Sequence, residues 1–284
     1  MTHFSTDNLN IVQPKQNVKK IIGYLKDFYR DHFSWGELLV ALIFIVAFCT
    51  FKYFNYLPTE WGEQSLLTSW WYAAYFGGYK FSFHFALYFL PLLFGYFMSS
   101  IFHHEWHFWK RRKFWLLLLF AAGLVAYRST LTYYIHDYLA SNYSSAHMDW
   151  LTSIIGTIIR GGFLFVAIWV YWYFTDKKEQ PFYGFTLKNF NTKPYLIMLL
   201  IMVPLIAAAS TQADFLTSYP RVQKMLSLDF ANSEHWKYFA LYEVLYGLDF
   251  FSIEFFFRGF LILAFVGIVG PRAIVPIAYM YVVI

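Results

Sequence analysis

Six apolar runs, at 37–56, 81–102, 114–134, 150–174, 194–213 and 240–269, and the start of a seventh near Pro271 constrain what this chain can fold into. Each complete run is long enough for a helix to cross the hydrocarbon core of a bilayer, which takes about 20 residues at about 1.5 Å of rise per residue. No water satisfies backbone N–H and C=O groups in hydrocarbon, so segments of this kind fold as helices that satisfy them internally. Composition agrees: the chain is 59% hydrophobic, 24% aromatic and 14% charged, whereas a soluble domain has about 25% charged residues. The expected fold class is all-α: a polytopic helical membrane protein with about six complete transmembrane helices plus a truncated seventh. From Pro271 to Ile284 there are 14 residues, about 21 Å of helix against a core of about 30 Å. The seventh span is therefore expected to continue past Ile284.

The net charge is +5 and the isoelectric point is near 9.0, values that by themselves suit a nucleic-acid partner. Here the basic residues fall in short clusters beside the apolar runs and form no basic domain, so no nucleic acid is expected. The N-terminal segment holds Lys15, Lys19, Lys20, Lys26 and Arg30, and the loop after the second run holds Lys110, Arg111, Arg112 and Lys113. The loop after the fourth run holds Lys177, Lys178, Lys188 and Lys193, while the alternate loops are poor in Lys and Arg. Positive residues concentrate on the cytoplasmic side, which predicts a multi-pass protein of the cell's inner (cytoplasmic) membrane with its N-terminus in the cytoplasm. Membrane lipids are its first partners.

Residues 1–36 read as a cytoplasmic segment without the apolar core and cleavage site of a signal peptide. Within it, Ile21, Ile22, Leu25 and Phe28 recur at helical spacing among charged residues, predicting an interfacial amphipathic helix over 15–33. The stretch 70–79 is a second interfacial candidate. The single cysteine, Cys49, excludes an intrachain disulfide and is expected to be inert packing.

Ionisable residues inside membrane spans are functional candidates by default. The sixth run carries Glu243, Asp249, Glu254 and Arg258. At about 100° per residue Glu243 and Glu254 share a helix face, Arg258 lies about 40° further round, and Asp249 points elsewhere. Glu254 and Arg258 are one turn apart with the carboxylate N-terminal to the cation, the favourable order for a pair. Spacing alone leaves two readings open, a structural clasp and half of a reactive site.

The stretch Glu254-Phe-Phe-Phe-Arg258-Gly259-Phe260 resembles the CPBP intramembrane metalloprotease family (the CAAX-protease and bacteriocin-processing group, also called Abi). That family's first motif is Glu-Glu-x-x-x-Arg, often ending Phe-Arg-Gly. The resemblance covers mainly residues 240–284, placing the start of a CPBP-like core at 191–284 behind N-terminal transmembrane helices at 37–190. It implies a membrane endopeptidase acting on a protein or peptide substrate. A divalent metal, such as zinc, would activate water there, with Glu254 as catalytic residue and possible metal ligand and Arg258 as its catalytic partner. The chain departs from the pattern in two ways. Ile253 stands where the first glutamate belongs, and the histidine ligands of the later motifs are not found through Ile284. Residues 1–284 alone are therefore expected to be inert. Two other classes remain: a non-catalytic scaffold or immunity-type protein of the same fold, and a transporter, for which no repeated halves are visible.

Several further groups raise expectations. His103-His104-Glu105-Trp106-His107 looks metal-like but lacks the second histidine of His-Glu-x-x-His, so an interfacial belt is the plainer account. His136, Asp137, His147 and Asp149 share one loop region without a recognisable ligand spacing. His84 reads as a satisfied core histidine. Arg128 is expected to snorkel to the interface, and Arg160 to need a buried partner, Glu243 or Glu254. Pro204 is expected to kink the fifth span.

Overall fold

The computed structural model describes residues 23, 26–30, 33–56, 80–142, 145–185, 193–213, 215 and 235–283. All regular structure among them is helical, with no strand. The interfacial candidate at 70–79 and residues 15–22, 24, 25, 31 and 32 of the one at 15–33 lie outside the described residues, while 23 and 26–30 are helical. The chain divides into two units, residues 1–33 with 186–219, and residues 34–185 with 220–284.

In the first unit the main described element is α5 (Lys193–Ala209), which runs through Pro204. The second unit contains α1 (Trp35–Tyr56), α2 (Lys80–His103), α3 (Arg112–Asn142) and α4 (Ser145–Tyr171). It continues with α6 (His235–Glu254), α7 (Ile262–Val269) and α8 (Ile274–Val283). Four stretches among the described residues are long and apolar enough to cross a membrane: 80–103, 112–139, 151–176 and 239–282. The first three coincide with the second, third and fourth apolar runs, and the last takes in the sixth run and the start of the seventh. The first and fifth runs form helices as well, with shorter apolar stretches at Trp35–Thr50 and Leu199–Ala209.

The stretch 239–282 is folded back on itself. As one rod its 44 residues would be about 66 Å long. Instead the Tyr281 ring lies 4.8 Å from the Phe257 ring, edge to face, so α8 returns alongside the end of α6. The reversal occurs at Gly270, with φ 77° and ψ −166°, followed by Pro271 in a short 3-10 turn. That backbone region is essentially reserved for glycine. Gly270→Ala is expected to cost about 1–3 kcal/mol, read as a lower unfolding temperature in detergent.

Lipid tails are as apolar as leucine, so burial of apolar area does not by itself drive helices together in a bilayer. Close packing and interhelical hydrogen bonds do. The core reflects this: Leu117, Leu118, Ala121, Ala122 and Ala126 of α3 are fully buried, and the small residues let aromatic rings from neighbouring helices enter. Phe260 meets Phe120, Tyr171 and Tyr183, and Phe265 meets Tyr96 and Phe114. Outward positions such as Leu116, Val166 and Phe174 are apolar and exposed on the helices, as a lipid-facing surface requires. Cys49 belongs to this outer surface. It does not pack against the protein as expected, because its side of α1 faces outward. His84 is buried and its Nδ1 hydrogen-bonds the Lys80 carbonyl at 2.7 Å, as a satisfied core histidine should.

One end of the second unit gathers the basic loops. Lys113 pairs with Asp176 at 2.9 Å and with Glu179 at 2.6 Å, joining the start of α3 to the end of α4. Arg111 donates to the Ile268 carbonyl at 3.3 Å, and Arg272 pairs with Glu105, joining the turn at Gly270 to the loop after α2. Tyr183 donates to Asp176 at 2.7 Å. Burial and that carboxylate raise the Tyr183 phenol far above its ordinary value, so it stays a donor throughout the physiological range.

Candidate functional site

Directly after Glu254 the backbone loosens from α- to π-helix over Phe255–Leu261. Such insertions cluster at functional sites because they rotate side chains off the regular helix face. Here Phe255, Phe256, Phe257 and Phe260 are all buried in the core. Gly259 makes the arrangement possible: a Cβ there would lie 3.2 Å from the Tyr183 carbonyl oxygen and 3.1 Å from the Phe255 ring. The glycine thus admits the loop after α4.

Arg258 Nε lies 2.7 Å from Glu254 Oε2, forming the i,i+4 pair expected from the spacing. The other carboxylate oxygen, Oε1, accepts a hydrogen bond from the Tyr281 hydroxyl at 3.2 Å. Both oxygens are therefore held, one from within the helix and one across the hairpin. The Glu254 side chain is 23% exposed and that of Arg258 is 74% exposed. Ile253, beside the pair, packs against the hydrophobic core. Glu243 lies on the exposed side of α6.

Among the described residues the divalent metal implied by the resemblance finds one candidate ligand, Glu254, and not a complete set. Glu254 supplies one carboxylate, Ile253 supplies no donor, and no group of three metal-ligating side chains exists among the described residues. The His103–His107 stretch is dispersed rather than convergent. His103 Nε2 pairs with the buried Glu37 of α1 at 3.0 Å, and Glu105 pairs with Arg272. His104 has a left-handed φ of 55°. These side chains tie α1, α2 and the Gly270 turn together, beyond the interfacial belt expected of them. His136 and Asp137 stay near each other at 3.7 Å, and Asp137 also pairs with Lys80 at 3.6 Å. The side chains of His147 and Asp149 lie outside the described residues.

A second ionic cluster joins α3, α4 and α6. Arg128 of α3 does not snorkel; it donates to Asp249 of α6 at 2.7 Å. Nor does Arg160 of α4 reach Glu243 or Glu254. Its closest carboxylate is Asp249 at 3.9 Å, and its hydrogen bonds go to Thr132 at 3.0 Å and Thr157 at 3.2 Å. Asp249 faces away from Glu254 on α6, and this turns it toward α3 and α4. The available signal was a matter of charge pairing: with Glu254 committed to Arg258, Asp249 was the acid left facing elsewhere for the arginines of the third and fourth runs.

An apolar groove of about 770 Å³ beside Phe44, Leu90, Phe94 and Trp115 offers no reactive group. The indoles of Trp109 and Trp115 on its wall already donate to Ser100 and to the Trp109 carbonyl.

Fold and site together define an all-α polytopic membrane protein with two ionic clusters in its helical core. The chain matches no protein-family model, no curated protein and no solved structure.

Proposed function

We propose that this protein is a CPBP-like membrane endopeptidase, with Glu254 and Arg258 as its reactive pair and a protein or peptide as substrate. The observation that carries the reading is the Glu254 carboxylate, fixed by Arg258 on one oxygen and Tyr281 on the other at the start of a π-helical segment. A carboxylate held in one orientation in this way can take a proton from an attacking water. The guanidinium of Arg258, largely exposed, keeps further N–H donors for charge developing on the scissile carbonyl oxygen. The protein would lie in the cytoplasmic membrane with its basic end, around Lys113 and Lys177, toward the cytoplasm.

The test is cleavage of a labelled peptide library by membranes from cells carrying the native gene. Glu254→Gln and Arg258→Ala are each expected to lower cleavage by about 10²–10³-fold, and Tyr281→Phe by less. Full cleavage by both of the first two variants would sink the assignment. In the same membranes, loss of cleavage on chelation and its return with zinc would support the cofactor implied by the resemblance.

One observation favours a second reading, a non-catalytic scaffold of the same fold: Ile253 occupies the first glutamate's position and packs on the core. On that reading Glu254→Gln lowers the unfolding temperature while native membranes show no cleavage to lose.

A further inference from the structure

We propose that the cleft beside Arg160 is a binding site for a small oxyanion, a phosphate or carboxylate group, held between α3, α4 and α6. The cleft has a volume of about 220 Å³, several times the roughly 30 Å³ share of a water molecule. Arg160, Asp249, Thr132, Thr152, Thr157 and Tyr242 line it.

Charge is the first argument. Two guanidiniums share one carboxylate, and Asp249 is committed to Arg128 at 2.7 Å, leaving Arg160 at 3.9 Å. Arg160 otherwise rests on two neutral hydroxyls. Its side chain is 15% exposed, and a cation so deep without full neutralisation is costly unless an anion joins it.

Depth is the second argument. The Lys113–Asp176 pair sets α3 and α4 level at the basic end. Arg128 and Arg160 lie about 22 and 24 Å from it along their helices, inside a core of about 30 Å. The third argument is the lining. The Thr152 hydroxyl and the Arg160 Nε both lack hydrogen-bond partners, and hydroxyls with a guanidinium are the donors that recognise an oxyanion. Gly156 leaves the room: a Cβ there would lie 3.2 Å from Arg160 Nη1.

The anion could be the headgroup of an acidic lipid or a free ion from the aqueous side. Both sources present the same chemistry, and none of it depends on the role of Glu254. The experiment places the purified 284-residue chain in zwitterionic-lipid nanodiscs and measures its unfolding temperature against inorganic phosphate. A second arm uses phosphatidylglycerol nanodiscs without phosphate. A rise in the first arm identifies a free anion, a rise in the second a lipid headgroup, and a rise in neither overturns the proposal.

Arg160→Gln removes the surplus charge while leaving the Arg128–Asp249 pair, and is expected to weaken the response about tenfold or more. Arg160→Lys should retain part of it. Should the glutamine variant fail to fold, Thr157→Val tests the same lining with the charge unchanged, and is expected to weaken the response by a smaller factor. An undiminished response in every folded variant also overturns the proposal.

Discussion

Replacing Asp249 with leucine is expected to destabilise the protein by about 3–5 kcal/mol, the cost of stranding buried charge when one partner of an ion pair is removed. Asp249 is the shared counter-charge of Arg128 and Arg160, so the substitution leaves two guanidiniums facing one another among three helices. The Nε of each already lacks a hydrogen-bond partner, and little nearby can absorb the loss. Unfolding in mild detergent with increasing denaturing detergent measures the change. The triple variant Asp249→Leu, Arg128→Met, Arg160→Met should recover most of the lost stability, because a well-packed apolar replacement of a buried ionic cluster is often neutral or better. A loss below about 1 kcal/mol in the single variant would mean that water reaches the cluster freely and screens it.

This cluster also marks where reading the chain from its sequence reached its limit. The apolar runs were legible because hydrocarbon thickness fixes a run length and admits few backbone solutions. The Glu254–Arg258 pair was legible because both groups sit on one helix, where one turn of separation determines contact. Tyr281 was not legible as the second support of Glu254. A new span from Pro271 implies a reversal there, as found at Gly270, but run length does not fix which residue of the returning helix meets Glu254. Asp249, Arg128 and Arg160 failed differently. Their contact depends on how three helices are rotated and levelled against one another, set by pairs such as Lys113–Asp176 and by small residues of α3. Helical periodicity gives the direction of Asp249 on α6 and says nothing of what lies opposite. The His103–His107 stretch shows the converse: neighbours in sequence that look like one site are drawn to Glu37 and Arg272 on separate elements.

Substituting alanine at Gly95 is expected to push two helix backbones apart. A Cβ there would lie 2.8 Å from the Cα of Pro276 and 3.0 Å from its carbonyl oxygen. Both are backbone atoms, so no side-chain rotation relieves the contact and α2 must move away from α8. In a bilayer this separation matters more than in water, since helix association rests on close packing. Overpacking of this kind costs about 1–3 kcal/mol. The contact also holds Tyr279 in its place between Phe44 and Phe94, with ring centroids 5.0 and 5.7 Å away, and α8 carries Tyr281 to Glu254. Gly95→Ala should therefore weaken the Tyr281–Glu254 hydrogen bond as well as the fold. A double-mutant cycle with Tyr281→Phe reads the link: the two losses of stability should fall short of additive by about 0.5 kcal/mol or more. Gly162→Ala is the control, because a Cβ there meets nothing within 4 Å, and it should be neutral or stabilise α4 by up to about 1 kcal/mol. Equal effects at Gly95 and Gly162 would remove the close approach of α2 and α8 as the support of the hairpin that positions Glu254.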